Sequence, residues 1–348
     1  MGGFFYEVSM NFSGATAGFA AGAQANDSLL DYTMEAEYGV TPTGAVFMPL
    51  RITSETLKLA HSTSRPDEIN ANGVVSDAVL TQVQVSGDIS GYLSAVTFDN
   101  IFTAVMTCEY SSDVAFTNAA VRKSFTIRKK IGGNFHHYTG CIVSQLQIQM
   151  SDGGQPPSFS FTVLSRGETL NTADIAKSVA AVTTTKVMNT IGNFKGLTIF
   201  GNTPAGCVTA ASITLSRDGA ANEYGFGHAD SCGAQFGSFM AAGSVTFYFK
   251  SSDEYQAALN ETSGPITLTI QDDDGYGYTF TFLNAKLRNP NVNVSGKNKT
   301  ITATFDIEAN STSDLKMFSV LPLQPSATPK SLSVGGNGVT VNGKQVTA

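Results

Sequence analysis

Long stretches of this chain alternate between apolar and polar positions. In "PITLTIQ", Ile266, Leu268 and Ile270 are separated by threonines, the period-2 pattern of a strand with one covered face. "SFSFTVLS" and "TITATFDIEA" read the same way, and Val143, Leu146 and Ile148 do so with one slip. Two short runs change period. Phe98, Ile101, Phe102, Val105 and Met106 recur at helical spacing, as do Tyr255, Ala258 and Leu259, the latter preceded by Ser251 and Glu254 as a capping box.

These elements come in the same order twice. "VSGDISGYL" and "AAGSVTFYF" place Gly87 and Tyr92 156 residues before Gly243 and Tyr248. A short helix follows each, starting near Asp99 and Asp253. Then comes a hairpin with a Gly/Asp/Asn turn ("IGGN" or "DDDGYG"), and then another strand. The spacing drifts to about 142 toward the end, so the copies differ in loop length. The pattern predicts a mainly β (α+β) protein: a duplicated unit dominated by antiparallel sheet, each copy with a short helix. The expected boundaries are an extended arm over 1–34, a first domain over 35–168 and a linker over 169–200. A second domain covers 201–312 and a C-terminal arm 313–348. In the linker, "NTADIAKSVAAVTTTKVM" predicts a helix from Thr172 through Ala181, with Ile175 and Val179 on one side. The last segment is proline-punctuated, then hairpin-like around Gly335–Gly338.

Composition narrows the function. Only 14% of the 348 residues are charged while 42% are hydrophobic, which suits a surface covered on several sides. A net charge of −7 without a basic face argues against a nucleic-acid reader. Cys108, Cys141, Cys207 and Cys232 form no CxxC pair and fit reduced thiols. The N-terminal Ala/Gly run lacks the basic start of a signal peptide, and no apolar run is long enough to cross a membrane. The chain is expected to be made in the cytoplasm.

Catalytic patterns are missing. "GVTVNGKQ" imitates a phosphate loop, but Gln345 stands where a hydroxyl is needed, so it reads as a turn. "DDDG" (272–275) lacks the ligand spacing of a calcium loop. Adjacent His136 and His137 face opposite sides of a strand and cannot share a metal. Cys108 and Cys141 read as buried hydrophobes. No GxSxG, HExxH or paired-carboxylate motif occurs, so neither enzyme nor cofactor nor metal is expected. Charge concentrates in "MPLRITSETLKLAHSTSRPDEI" (48–69) and in "IRKK" (127–130).

"EAEYGVTP", "LRITSETLKL", "DEI" and "VSGDISGYL", followed by "VRKSFTIRKK", "HHYTGCIVSQLQIQM" and "PSFSFTVLS", form an ordered series. That series resembles the tail tube (major tail) proteins of long-tailed bacteriophages. The resemblance runs from Glu35 to Ser165 and more loosely to Ala309. It implies a virion protein with two related antiparallel β-sandwich or barrel tail-tube domains, each with a flanking short helix, whose strands join those of neighbours around a lumen. Rings stack into a tube that carries the genome and meets the tape measure, terminator and distal tail proteins. Members with two tube domains form trimeric, pseudo-sixfold rings, and the repeat places this chain with them; a hexameric ring is the alternative. On this reading Arg51, Glu55, Lys58, Arg65, Asp67 and Glu68 are candidate inter-subunit contacts, with Arg128, Lys129 and Lys130 at a hairpin tip. Asp88 and Ser90 are candidate lumen residues, in a wall expected to be acidic. Double-stranded DNA is expected only as a transient, non-specific passenger. The rival reading is a carbohydrate-binding or adhesin-like β-sandwich, which the absence of Trp disfavours.

Overall fold

The computed structural model describes residues 21–112, 114–294 and 296–325, together with the backbone of three short strands near the C-terminus. The expected N-terminal arm therefore lies largely outside the described residues. In chain order the strands of the first half are β1 (Leu29–Met34), β2 (Val46–Pro49), β3 (Ser54–Glu55), β4 (Lys58–Ser64) and β5 (Val79–Tyr92). Helix α1 (Asp99–Met106) is followed by β6 (Phe116–Thr117), β7 (Phe125–Ile131), β8 (Asn134–Ser151), β9 (Ser158–Ser165), β10 (Gly167–Asn171) and β11 (Ser178–Val179). The second half has β12 (Phe194–Ile199), β13 (Val208–Asp218), β14 (Ala221–Glu223), β15 (Gly233–Gln235) and β16 (Ser238–Tyr248). Helix α2 (Asp253–Leu259) precedes β17 (Ser263–Gln271), β18 (Gly277–Asn293), β19 (Thr302–Ala309) and β20 (Phe318–Leu323). Strands β21 (Ser333–Gly335), β22 (Gly338–Val341) and β23 (Lys344–Val346) form a small antiparallel sheet, in which β21 and β22 are the hairpin expected around Gly335–Gly338.

The duplication appears in the strand registers. Lys58 pairs with Ser86, and Thr214 pairs with Ala242, each 156 residues further along. Ser54 and Glu55 of β3 continue the register of β4 on β5, so the two act as one interrupted strand. Val143 pairs with Val163, and Leu287 with Ile307, each 144 further along. The β8–β9 and β18–β19 pairs both slip register at matching places, after Val143 and after Arg288. A β-bulge there turns the long strand, so its first half serves one sheet and its second half another. That bulge is the slip visible in the alternation of Val143, Leu146 and Ile148.

Each half is thus a sandwich sharing one long strand between its layers. In the first, β2, β1, β7, the start of β8 and β10 form one layer. In the second, β12, β17, the start of β18, β20 and β6 form the counterpart. The other layers merge across the two halves into a single antiparallel run, β3/β4–β5–β9–β8–β13–β16–β19–β18. The join is β8 with β13, where Leu146 meets Leu215 and Ile148 meets Ile213.

Between the layers lies one continuous core. Phe98, Phe102, Phe159, Tyr278 and Phe280 pack ring to ring, with Phe102 5.3 Å from Tyr278 across the two halves. The repeated glycines have a structural cause. A Cβ on Gly87 would lie 2.6 Å from the Leu57 backbone, and one on Gly243 would lie 2.4 Å from the Ser212 carbonyl. Strand-to-strand approach leaves no room for a side chain at either place.

Three expectations need correction. The segment Thr172–Ala181 forms no helix; it is extended, and β11 pairs in parallel with β2. Its β-branched Thr172, Ile175 and Val179 favour extended backbone once a strand edge is in reach. Leu29–Met34, assigned to the N-terminal arm, is a core strand between β2 and β7, with Leu30 and Tyr32 buried. Likewise Phe318–Leu323, assigned to the C-terminal arm, lies between β18 and β6 with Phe318 and Val320 fully buried.

Candidate assembly surface

The eight-strand run has two chemically distinct faces. Val85, Ile89, Phe159, Phe161, Leu146 and Ile148 point from it into the core, as Ile213, Val245 and Ile307 do in the second half. The opposite face is polar from edge to edge. One cross-strand row runs Ser54, Ser90, Ser160, Gln147, Thr214, Ala242, Glu308. Another runs Thr56, Asp88, Thr162, Gln145, Ser216, Met240. Asp88 and Ser90 both sit on this face, and Asp88 accepts a 2.6 Å hydrogen bond from the Thr162 hydroxyl. Short hydroxyls bond across it at Ser212–Ser244 and Thr246–Thr304. Its charges are mixed, with carboxylates in slight excess: Asp88, Asp218, Asp306 and Glu308 share the face with Lys58, Lys286 and Arg288. Glu308 and Glu261 hold Arg288, and Glu261 also holds Lys286 at 2.9 Å.

Both ends of the run are open. Among the described residues, β3/β4 pairs only with β5 and the part of β18 beyond Lys286 only with β19, so the outer side of each has no strand partner. These two edges correspond by register to β13 and β8, which pair with each other inside the chain. Pro290, which cannot donate to a ladder, is tolerated on such an edge beside the bulge.

The charged candidates separate into three groups. Lys58, Arg65, Asp67 and Glu68 are exposed, on β4 and in the loop that follows it. Arg65 donates to the Ser76 carbonyl at 2.7 Å, and Glu68 accepts from the Ser76 hydroxyl, so the loop is tied to itself. The same loop carries the exposed apolar residues Ile69, Val74 and Val75. A second group is half-buried and paired within the chain: Glu55 with Lys129 at 2.5 Å, and Arg51 with the Thr185 carbonyl. Lys130 lies 5.8 Å from the centre of the Phe135 ring.

Arg128 does not belong at a surface tip. It is 1% exposed, donates through Nε to Asp31 at 2.9 Å, and forms ion pairs with Asp31 and Asp174. Its guanidinium also lies 4.7 Å from the Phe47 ring centre. In "IRKK" the strand alternation turns Arg128 inward, where β1 and the segment after β10 supply carboxylates. Nothing in the run itself marks that partnership.

The histidines behave as their adjacency requires. His136 faces out toward Glu168, with Nδ1 2.6 Å from its carboxylate. His137 is buried against Asn171, and burial with the nearby Arg128 cation pushes its imidazolium below the ordinary value. Burial pushes the thiols of Cys108 and Cys141 up to about 11 and about 12, so neither is a ready nucleophile. Asp272 closes the β17–β18 turn, its carboxylate accepting the Asp274 and Tyr276 N–H groups. Among the described residues no group of three or more His, Cys, Asp or Glu side chains could hold a metal ion. No described helix is long and apolar enough to cross a membrane.

The structure thus presents an antiparallel sheet with a largely polar outer face and two open edges that correspond by register. The family model described as "Phage tail tube protein" matches residues 25–346 of this chain. The chain belongs to the phage tail tube protein family. A comparison with curated proteins found no match. Membership makes the protein a structural component of a phage tail, and it matches a surface rich in edges and poor in reactive groups. The family model also reaches back to residue 25, just ahead of β1, and so spans both β1 and β20. Two features of this surface escaped the sequence reading: the open edge of β18 and the exposed face of α2. An unpaired edge carries no local signature, because the same alternation serves paired and unpaired strands.

Proposed function

We propose that three copies of this chain close into a ring with pseudo-sixfold symmetry, and that rings stack into a tube for passage of the phage genome. The observation that carries this reading is the β8–β13 join. Shifting its registers by the repeat offsets pairs Leu57 with Val292 and Lys58 with Asn291 of a neighbouring copy. Each copy would offer one edge to each neighbour, a heterologous contact that closes when its rotation divides a circle. Closure would remove both open edges.

In that ring the polar face lines the lumen, with Asp88 and Ser90 among the wall residues. A wall of Ser, Thr and Gln with carboxylates in slight excess has no net positive charge with which to retain phosphates. Residues 65–79 are the gapless counterpart of 221–235, which fold onto the first half through Asn222, Tyr224 and Ala229. The loop holding Arg65, Asp67 and Glu68 is placed to reach the adjacent copy in the same manner. Stacked rings would end on other tail proteins, and synthesis and assembly would take place in the host cytoplasm. The domain division follows the repeat, with β1 and β20 brought inside the two tube domains.

Cysteines at 58 and 291 test the ring. Gln147 and Thr214, their internal counterparts, are directly paired, and paired strand positions lie close enough for a disulfide. The background carries Cys207→Ser and Cys232→Ser, since these two thiols are exposed. Oxidised tubes of Lys58→Cys/Asn291→Cys should run as covalent trimers on a denaturing gel. Tubes that form without this cross-link would overturn the edge pairing, and covalent hexamers would replace three copies with six.

A further inference from the structure

The two helices are equivalent but unequally covered. In α1 every residue except Asn100 is buried, whereas in α2 only Ala258 is. Leu259 is 59% exposed and Tyr255 36%. Among the described residues, the α2 stripe is therefore only partly covered: Ala258 packs into the core, while Leu259 and Tyr255 stay exposed.

The cover over α1 comes in part from the other half of the molecule. Arg217, on β13, donates through Nε to the Val105 carbonyl at 2.6 Å and through its terminal nitrogen to the Thr107 hydroxyl at the end of α1. The Phe239 ring stacks beside its guanidinium, 5.2 Å from centroid to Cζ. Aligning Asp99 with Asp253 makes Val105 the counterpart of Leu259 and Thr107 that of Glu261. The backbone supports this alignment: Thr107 and Glu261 both adopt left-handed conformations, at φ 48° and 55°. Applied to β13, the 156-residue offset makes Ile213, Leu215 and Arg217 the counterparts of Leu57, Leu59 and His61.

Resting on the ring reading above, we propose that α2 is a docking face for a second copy of this chain. The neighbour's β3/β4 edge covers Leu259, and His61 of that copy takes the place of Arg217. An imidazole N–H there reaches the end of α2, where the Leu259 carbonyl is the counterpart of the Val105 carbonyl that Arg217 binds. Glu261 supplies a carboxylate at this helix end; Lys286 and Arg288 approach it from β18, and Glu308 from β19 through Arg288. The shorter histidine thus meets an end already occupied by two cations, where a third full charge is not needed. This assigns a role to His61, which is exposed on β4 in the single chain.

Leu259→Asp tests the face. The residue is exposed in the single chain, so the variant monomer should keep wild-type circular dichroism and melting behaviour. Its critical concentration for tube assembly should rise at least about tenfold, a factor equivalent to ~1.4 kcal/mol. His61→Asp should act in the same direction, and His61→Arg, which installs the residue of the internal join, should assemble. Hydrogen exchange on unmodified protein gives a second readout: amides of residues 253–261 should slow from monomer to tube. Leu259→Asp assembling at the wild-type concentration, or unchanged exchange over α2, would overturn the docking. Because the 58–291 cross-link reports the strand edge separately, it would survive failure of the α2 contact and be lost if the ring reading itself failed.

Discussion

Arg128 and Asp31 form a buried, two-pronged ion pair between neighbouring strands β7 and β1, both side chains shielded from solvent. A charge left behind at such a place is expensive, because water cannot replace the missing partner. Arg128→Met should therefore lower the unfolding free energy by about 3–5 kcal/mol. The double variant Arg128→Met/Asp31→Leu should recover most of that loss. Urea denaturation of the unassembled chain measures both, and an unchanged midpoint for the single variant would return Arg128 to the surface.

Acid sensitivity should trace in part to His137. Its Nδ1 lies 3.1 Å from the Asn171 amide, while Nε2 is buried without a hydrogen-bond partner. Burial and Arg128 lower its pKa in the folded state, so as pH falls through the ordinary histidine value the unfolded chain takes up a proton first. The stability held above that value is lost as pH drops toward the folded pKa. His137→Gln should flatten the stability profile between pH ~7.5 and ~5, as read from urea midpoints across that range. A slope equal to that of the wild type would exclude this histidine as the cause.

The repeated glycines should resist even the smallest side chain. Gly87→Ala and Gly243→Ala each force a Cβ against neighbouring strand backbone. Overpacking of this kind costs about 1–3 kcal/mol. Both variants should show lowered melting temperatures, whereas Gly133→Ala, with open space around its Cβ, should not.

Truncation should separate core from appendage. A chain ending at residue 325 keeps β20 and should fold. One ending at residue 312 removes Phe318 and Val320 from between β18 and β6 and should collapse into insoluble protein. Limited proteolysis and far-ultraviolet circular dichroism distinguish the two outcomes.

Much of this architecture was legible because alternation is a local property. Ile266, Leu268 and Ile270 point to one face whatever they meet, and the Phe98–Met106 stripe is helical in isolation. Even the bulge left a trace, as a break in the alternation of β8. What was not legible depends on partners remote in sequence. Leu29–Met34 looked like part of an arm, yet it is claimed by β7, almost a hundred residues on. Arg128 looked solvated because Asp31 and Asp174 are distant in the chain. Ser251 and Glu254 read as a capping box; in the structure the Ser251 hydroxyl accepts the Asp253 N–H, and Ser252 occupies the N-cap position without a side-chain hydrogen bond. The Thr172–Ala181 helix failed for a related reason: weak helical preference yields to a strand edge that periodicity cannot see.

The join of β8 to β13 also bears on how fast a tube can grow. Its two strands are tethered by one polypeptide, so they meet at a local concentration set by the connection and not by how much protein the cell holds. In the proposed ring of three such chains, half of the sheet joins would form during folding, and only three joins between molecules would remain. Each encounter avoided spares the translational and rotational freedom that docking would consume. The two kinds of join are also free to diverge in strength, since β13 and β4 no longer share a sequence. A permanent join can be made as tight as folding permits, while its intermolecular twin stays weak enough for misplaced subunits to leave before the next ring locks them in.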